Sequence, residues 1–574
     1  MKKLSFLLAV ILLLAACFMT ACKKDDETEE NPTETTTAPE QNNPVVHASI
    51  STEQLANYTI ISAKSTSSDV DKAAEQLRLR MQDVFEVLMD SKTGNAYNKT
   101  QYEILIGNTD REETATFVAD MKWDDYGYGI VGDKLVIAGK NEDGTFKALR
   151  AFLDYVSKHE GGDIFFSNAN CFVASKQYPF DNISINSMSA DKLSIVCNTQ
   201  GFGGMAESIR GAIIKACGIA VPIITDADVK EGNQLIVIGE SEHISQELLT
   251  AWNSANVSGS DYYFGTDANT LWINANTAAG FWNATAKITQ KTSGKDADNV
   301  VLSNGVYDGE DAIAVMSFNL KAEDSQVAYN ARIDDIVNTI LKYRPAVIGV
   351  QEATDMWIGL LEKRLEGIYT IKGDGRSATK GDEHSAILYL TEEFNLIKTE
   401  TKWLSETLDV PGSQHSTAIS TYPRIMTYAV LERKSDGKQF IHVNTHLDYG
   451  SSDAEEQVKV NQMQVIFDEI AKLNLDVPTI ITGDFNATVG SPVYDKVIEQ
   501  GYSEAASHIP APDREPTYHA LMGTTGEPSH IDFIFSKGLA NDNLYRICTE
   551  RQDNENVSDH YPILAILSFQ TEES

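Results

Sequence analysis

Basic residues are scarce in this chain: 47 Lys and Arg stand against 83 Asp and Glu in 574 residues, a formal net charge of −36. Sequence-independent grip on a nucleic-acid backbone draws on clustered Lys and Arg, and no strongly basic run occurs anywhere, which disfavours a processive or high-affinity DNA binder. Cysteine is also rare. Beyond the first 22 residues only Cys171, Cys197, Cys217 and Cys548 remain. They are too few for a disulfide scaffold and lack metal-ligand spacing, so they are expected as buried small hydrophobes, with a single Cys197–Cys217 bridge as the alternative. After the N-terminus no apolar run approaches the ~20 residues that a membrane span needs. Hydrophobic residues at 42% and aromatics at 9% suffice for ordinary cores. The length predicts about three to five domains of roughly 100 to 200 residues.

The N-terminus has Lys2-Lys3 followed by an apolar run from Leu4 to Ala16, a secretory signal pattern that stands outside the fold. Leu14-Ala15-Ala16-Cys17 and Met19-Thr20-Ala21-Cys22 both resemble the bacterial lipobox, whose cysteine is lipidated and becomes the mature N-terminus. Cys22, set against the polar Lys23-Lys24-Asp25-Asp26, is the preferred anchor and Cys17 the alternative; a plain cleaved signal or an uncleaved anchor is the other reading. The expected location is extracytoplasmic, with the chain lipid-anchored to the bacterial cell membrane. Residues 1–22 are then the signal peptide. Residues 23–47, rich in Glu, Thr, Pro and Asn, form a solvated tether.

An internal repeat fills residues 48–308. Ile104-Leu105-Ile106-Gly107 matches Ile236-Val237-Ile238-Gly239 at an offset of 132 (239 minus 107), and Leu135-Val136-Ile137 matches Leu271-Trp272-Ile273 at 136 (271 minus 135). A four-residue insertion in the second copy accounts for the change. Each copy reads as strand, helix, strand ending in Gly, hairpin and closing helix, giving accessory α/β units at 48–186 and 187–308. Ala74, Leu77, Met81 and Phe85, three or four residues apart, mark one helix. The pattern weakly resembles the small α/β domain that precedes the catalytic barrel of glycoside hydrolases such as α-glucuronidases and hexosaminidases, where it is accessory. Tyr126, Tyr128, Tyr262, Tyr263 and Trp272 would suit either a glycan-stacking platform or ordinary sheet packing, and aromatics are favoured in strands on the second ground alone.

From about residue 311 onward, short polar clusters end or interrupt apolar runs: Ser317-Phe318-Asn319, Gln351-Glu352, Asn444-Thr445-His446, Gly483-Asp484-Phe485-Asn486, His530-Ile531-Asp532 and Ser558-Asp559-His560. Runs such as Ala346-Val347-Ile348-Gly349-Val350 and Pro478-Thr479-Ile480-Ile481-Thr482 read as buried strands that deliver a polar residue at their exit. Carboxylates, amides and imidazoles without a reactive cysteine suit a hard divalent cation and a phosphate ester. Glu352, at a strand end, is the best single candidate metal ligand. Asp484 and Asn486 flank Phe485 and are expected to point the same way from an extended segment. Alternation also puts His442 on the face of His446, a spacing that suits either a metal pair or one functional and one structural histidine. Residues 454 to 473 place Val458, Val465, Ile466 and Ile470 on one helical face, and Asp436-Gly437 tips a hairpin turn.

These six clusters, in this order, make residues from about 311 to 570 resemble the endonuclease/exonuclease/phosphatase superfamily, which includes deoxyribonuclease I, abasic-site endonucleases, neutral sphingomyelinases and inositol polyphosphate 5-phosphatases. The resemblance implies a four-layer α/β sandwich, two packed sheets flanked by helices, over residues 309–574. It implies that Glu352 and Asp559, supported by Asn319, hold Mg2+ or Mn2+, with Ca2+ as an alternative. Asp484 would position or activate the attacking water, and Asn486 would hold that water or a phosphate oxygen. His446 and His560 would face the phosphate, and Asp532 would pair with His560. Glu383 would orient His446, with Asp382 or His384 as shifted registers. Arg424, before a strand, would clamp phosphate or lie solvated on the surface.

The expected function is an exported, lipid-anchored, divalent-metal-dependent phosphohydrolase, foremost a phosphodiesterase or nuclease acting by direct water attack. Extracellular DNA and a lipid headgroup are the substrates considered. The alternatives are a sphingomyelinase- or phosphatase-type enzyme on the same fold and a cell-surface glycan-binding protein with an inert C-terminal domain. No protein partner is implied.

Overall fold

The computed structural model describes residues 48–570 apart from 95–96, 161, 379–381, 523, 525 and 553–554. The signal sequence, Cys17, Cys22 and the tether lie outside the described residues. Among the described residues, no helix is long and apolar enough to cross a membrane.

Two six-stranded sheets with the same strand order occupy residues 48–308. The first runs Ser91–Thr93, Thr59–Ser62, Glu103–Ile106, Lys134–Gly139, Tyr126–Val131, Phe172–Ala174; the second runs Ile223–Ile224, Leu193–Cys197, Gln234–Ile238, Thr270–Ala275, Tyr262–Thr266, Gly305–Tyr307. Their registers correspond: Ile104 pairs with Leu135, and Ile236 with Leu271. Gly107 and Gly239 close equivalent strands at φ of 72° and 75°, a left-handed turn that disfavours a Cβ. Tyr128, Tyr262, Tyr263 and Trp272 are buried and Tyr126 is half-buried, so these rings pack the sheets instead of presenting an open platform.

All four described cysteines are free. The Cys197–Cys217 bridge is not made: the Cys217 thiol turns back along its own helix to the Ile213 carbonyl, 3.3 Å away, and Cys197 faces the Thr199 carbonyl at 3.9 Å. Cys171 is exposed, because it follows a short turn at Asn168–Asn170 outside the core.

The C-terminal domain is built from β1 (Ala312–Asn319), α1 (Gln326–Tyr343), β2 (Val347–Thr354), α2 (Asp355–Arg364), β3 (Tyr369–Lys372), β4 (Glu383–Leu390), β5 (Phe394–Trp403), β6 (Ile425–Arg433), β7 (Gln439–His446), α3 (Asp453–Leu473), β8 (Thr479–Asp484), α4 (Pro492–Glu499), β9 (Ser503–Glu504), β10 (Asp532–Lys537), β11 (Leu539–Ile547) and β12 (Ile563–Phe569). Sheet order is β3-β4-β2-β1-β12-β11 in one sheet and β5-β6-β7-β8-β10-β9 in the other. Local chemistry sets the ends: Ser452 and Glu455 form a capping box at the start of α3, and Ser491 caps α4 with Pro492 in its first turn. Ile466 of α3 is buried against β6, β7 and β8 with Met463 and Phe467, Val458 is buried on the same helix, and this helical layer flanks the second sheet.

Between the sheets, inward side chains change from apolar to polar along each strand. Ile313 and Val315 give way to Ser317 and Asn319 on β1, Phe440 to His442, Asn444 and His446 on β7, and Ile480 to Thr482 and Asp484 on β8. The apolar end forms one buried cluster with Val347, Ile387, Ile534 and Ala565. At the polar end Gln351 donates to Asn444 Oδ1 at 2.7 Å, Asn444 donates across the gap to the Val350 and Ala386 carbonyls, and His442 Nε2 lies 2.9 Å from Thr482 Oγ1. A Cβ at Gly349 would sit 2.0 Å from Thr482 Oγ1, so glycine permits the close approach on which this network rests. His442 is therefore structural, which leaves no His442–His446 metal pair.

The second accessory unit shares its core with the C-terminal domain. Ile209, Ile213, Trp282 and Ile288 join Ala314, Met316, Ile340 and Tyr343 in one buried cluster, and the helix Ala278–Thr292 lies on β1 and β11. The first unit reaches the loop before Asp559: Ser68 donates from its N–H and Oγ to Glu555 at 2.6 and 2.9 Å, and Arg551 pairs with Asp143 at 2.6 Å.

Two outcomes follow from this packing. A Cβ at Gly204 would lie 2.9 Å from the Tyr343 Cα, so Gly204→Val should wedge the shared core and lower stability by about 1–3 kcal/mol in urea unfolding; an unchanged midpoint would mean that the two parts are not packed as one. Burial holds the His442 pKa down at about 3, against 6.5 for an ordinary histidine. The unfolded chain thus binds a proton that the native state refuses, so this stability is present above pH 6.5 and is lost as pH falls toward 3, by up to about 1.4 kcal/mol per pH unit. His442→Gln should flatten the acid limb of the urea-midpoint profile by that one-proton slope, and parallel profiles would refute it.

Candidate active site

Asn319, the last residue of β1, is fully buried, and its Nδ2 donates to Glu352 Oε1 and to Asp484 Oδ2, each at 3.0 Å. One carboxylate comes from each sheet, so this amide fixes the gap between them. Glu352 is not at a strand end as expected. It lies within β2, in a bulge where the pairing shifts between Val350 and Ala353, with φ at 52°. Such a conformation costs a non-glycine residue about 1–3 kcal/mol. The bulge re-aims the carboxylate, and its Oε2 accepts the Ala322 N–H at 2.8 Å.

Asp484 closes β8, and the segment after it is turned rather than extended. Asn486 has φ of 47°, and its N–H donates to Asp484 Oδ1 at 2.9 Å, while Phe485 is buried in the core behind. The asparagine still reaches the site by this route: its Nδ2 lies 3.1 Å from His446 Nε2 and donates to the Leu447 carbonyl. Lys459, fully buried on α3, holds the turn by donating to the Asn486 carbonyl at 2.7 Å and to the Gly450 carbonyl at 2.8 Å.

His560 Nδ1 and Asp532 Oδ2 are 2.8 Å apart, and His560 Nε2 lies 3.7 Å from Asp484 Oδ2. Burial alone would lower this imidazole, but the Asp532 charge and hydrogen bond, with Asp484 and Asp559, outweigh it and raise its pKa to about 10. His446 is the opposite case. Burial, then the charges of Arg424, Arg376 and His560, push it well below the usual range, so it is neutral at pH 7. Burial and the Asp532 charge lift Asp484 to about 7, near the range of a general base.

Among the described residues, Asp484, Asp532 and His560 bring metal-capable atoms within 4.8 Å of one another. A histidine held protonated by its carboxylate has no lone pair to offer, so this trio is a charge network. Glu352 and Asp559 are the better donors for a divalent cation. Burial raises Asp559, opposed by His560, and the Glu352 charge raises it further, the mark of two carboxylates that want a shared positive partner. Ser558 ties Asp559 to this corner, since its Oγ donates to the Asn319 carbonyl at 2.7 Å.

Glu383 does not orient His446. It is bonded to Arg376 Nη2 at 2.8 Å, and burial, with Arg376 opposing and Glu352 reinforcing, raises its pKa to about 7. Of the shifted registers, Asp382 also binds Arg376, at 3.0 Å, and His384 Nε2 lies 2.7 Å from Asp355 Oδ1. Arg424 is not solvated. It is buried, its Nε stands 3.7 Å from Asp448 Oδ1, and neither Nε nor Nη1 has a hydrogen-bond partner among the described residues. Sequence reasoning passed over Arg376 and Lys459. Arg376 sits in a loop without periodicity, and a lysine on an amphipathic helix reads as solvated; no local signal marks either.

Residues 316–560 match the family model described as Endonuclease/Exonuclease/phosphatase family. Solved structures similar to this chain include an endonuclease/exonuclease/phosphatase from Bacteroides vulgatus, at 25% identity over 45% of this chain and 99% of that one, TM-score 0.40. A mannosyl-6-phosphatase from Bacteroides thetaiotaomicron VPI-5482 is 25% identical over 45% of this chain and 100% of its own, TM-score 0.39. TDP2 of D. rerio, complexed with a single-strand DNA product, is 16% identical over 45% of this chain and 99% of that one, TM-score 0.35. No curated protein matches the chain. The C-terminal domain therefore belongs to the endonuclease/exonuclease/phosphatase family, and it is a phosphoric ester hydrolase.

Proposed function

We propose that the cleft between the two sheets hydrolyses small phosphate esters with a divalent cation, on a protein exported and lipid-anchored through Cys22 or Cys17. The observation that carries the reading is Arg424: a buried guanidinium whose Nε and Nη1 make no hydrogen bond, and whose ion pair with Asp448 is 3.7 Å long, is costly unless a further anion completes it. A small ester is preferred to a polynucleotide because the net charge of −36 and the lack of basic runs offer no track for a phosphate backbone.

A divalent cation held by Glu352 and Asp559 would supply Lewis-acid neutralisation of the phosphoryl oxygens. The chain's own groups account for the rest. Asp484, poised near neutrality, takes the proton of a water attacking phosphorus in line. The water oxygen–phosphorus bond forms as the bond to the leaving oxygen breaks, and that oxygen takes its proton from solvent. Asn486 and neutral His446 frame Asp484 on one side. Cationic His560, fixed by Asp532, and Arg424 stabilise charge on the phosphoryl oxygens. Asn319 keeps the two carboxylates in register.

The purified full ectodomain, assayed with Mg2+ or Mn2+ on bis(p-nitrophenyl) phosphate, p-nitrophenyl phosphate, DNA and sphingomyelin, should turn over at least one ester, and Glu352→Gln and His560→Ala should each lower kcat/KM about a hundredfold or more. Equal rates in wild type and variants would sink the reading. Arg424→Met should divide its effects by sign: a rise in KM of roughly tenfold or more with the same ester, but a substrate-free protein as stable as wild type or up to about 3 kcal/mol more stable in urea. Loss of stability with unchanged KM would make Arg424 structural.

A further inference from the structure

Asp559 and His560 lie near the end of the connection between β11 and β12, residues 548–562. Side chains on a connection this long keep their aim only where neighbours hold it. Four consecutive residues before Asp559 are each held, and the holders come from two different parts of the chain. Glu555 is taken by the first accessory unit: the Ser68 N–H and Oγ, at the start of the helix Ser68–Phe85, donate to its two oxygens at 2.6 and 2.9 Å. The open N-terminal end of a helix favours a carboxylate there. Asn556 is taken by the next residue of that helix, its Nδ2 donating to Asp69 Oδ2 at 3.4 Å, and both side chains are buried. Val557 and Ser558 are held by the C-terminal domain. Arg332 of α1 donates from Nε and Nη2 to the Val557 carbonyl at 3.1 and 2.7 Å, and the Ser558 carbonyl is 2.8 Å from His519 Nε2. Upstream, Arg551 donates to Asp143 Oδ1 at 2.6 Å, in the first turn of the accessory helix Glu142–Ser157.

The two accessory units dock in different ways. The second shares an apolar core with the C-terminal domain. Among the described residues, the first keeps its own buried cluster within residues 50–166 and meets this connection through polar pairs. Polar pairs at a partly exposed surface add little stability, but they fix direction and distance, which is what an aimed carboxylate and imidazole require. A shift of about 1 Å at a reacting centre is enough to cost catalysis heavily. We infer that the first accessory unit is a working part of the hydrolase: Ser68, Asp69 and Asp143 are positioning residues that hold Glu555, Asn556 and Arg551, so that Asp559 and His560 meet the cation and the phosphoryl group. This inference rests on the phosphohydrolase reading and adds the docked accessory unit to its requirements.

The test compares the purified wild-type protein with a Ser68→Leu/Asp143→Asn/Arg551→Gln triple variant and with Ser68→Thr. The triple variant wedges the helix end away from Glu555 and removes the ion pair without changing the net charge, while Ser68→Thr keeps the hydroxyl. Calorimetric titration gives the Kd for Mn2+, bis(p-nitrophenyl) phosphate and p-nitrophenyl phosphate at saturating Mn2+ give kcat and KM, and urea unfolding gives the midpoint. The expected result is a triple variant that binds Mn2+ about tenfold more weakly and has kcat about tenfold lower, with KM and the urea midpoint unchanged, beside a Ser68→Thr protein that matches wild type. Unchanged Mn2+ affinity and kcat in the triple variant would overturn the inference, as would an equal loss in Ser68→Thr or a loss that comes only with a lowered urea midpoint. Should wild type turn over neither ester, the phosphohydrolase reading fails separately, and the Mn2+ titration decides: weaker binding in the triple variant supports positioning, and an affinity equal in both proteins or absent from both overturns it.

Discussion

One side-chain amide governs the site. Asn319 Nδ2 donates to Glu352 on one sheet and to Asp484 on the other, both at 3.0 Å, in a place where Asn319 is fully buried. A carboxylate in a low-dielectric gap needs donors to stay ionised, and the Asn319 bond opposes the rise that burial and Asp532 impose on Asp484. A donor shared between the sheets meets that need and at the same time fixes their spacing. The rest of the site follows from that spacing: Asp484 is close to both histidines, and Glu352 is close enough to Asp559 for its charge to be felt.

The sandwich makes such a position available by dividing the space between the sheets. Apolar inward residues at one end of the strands supply the burial that holds the layers together. At the other end the same strands present Ser317, Gln351, Asn444 and Thr482, which bond across the gap and form a polar floor. Two residues leave regular geometry just above that floor, Glu352 in its bulge and Asn486 in its left-handed turn. Local strain at a site is tolerated where neighbours over-determine it. Here Ala322 holds Glu352, and Lys459 holds Asn486.

Much of this was legible in the sequence because strands announce themselves twice, by apolar runs and by alternation. The polar exits of β1, β7 and β8 named Asn319, His446 and Asp484, and the structure brings all three together with Glu352 and His560. The Asp532–His560 pair is also where the family resemblance placed it. What the sequence missed are departures from periodicity. A bulge at Glu352 and a turn at Asn486 change direction without changing residue type, and the resemblance that tied Glu383 to His446 could not foresee that Arg376 takes that carboxylate. Arg424 was ambiguous for the same reason: only three-dimensional burial reveals a cation with unpartnered nitrogens.

The central claim is that Glu352 and Asp559 share one cation while Arg424 and His560 face the phosphoryl group beside it. Crystals of the purified protein grown with Mn2+ and inorganic phosphate, with anomalous data at the manganese edge, measure this directly. The account predicts one anomalous peak within about 2.0–2.3 Å of a Glu352 and an Asp559 oxygen, with phosphate oxygens on Arg424 and His560. A manganese seated instead among Asp484, Asp532 and His560, or a phosphate that leaves Arg424 unpartnered, would contradict it.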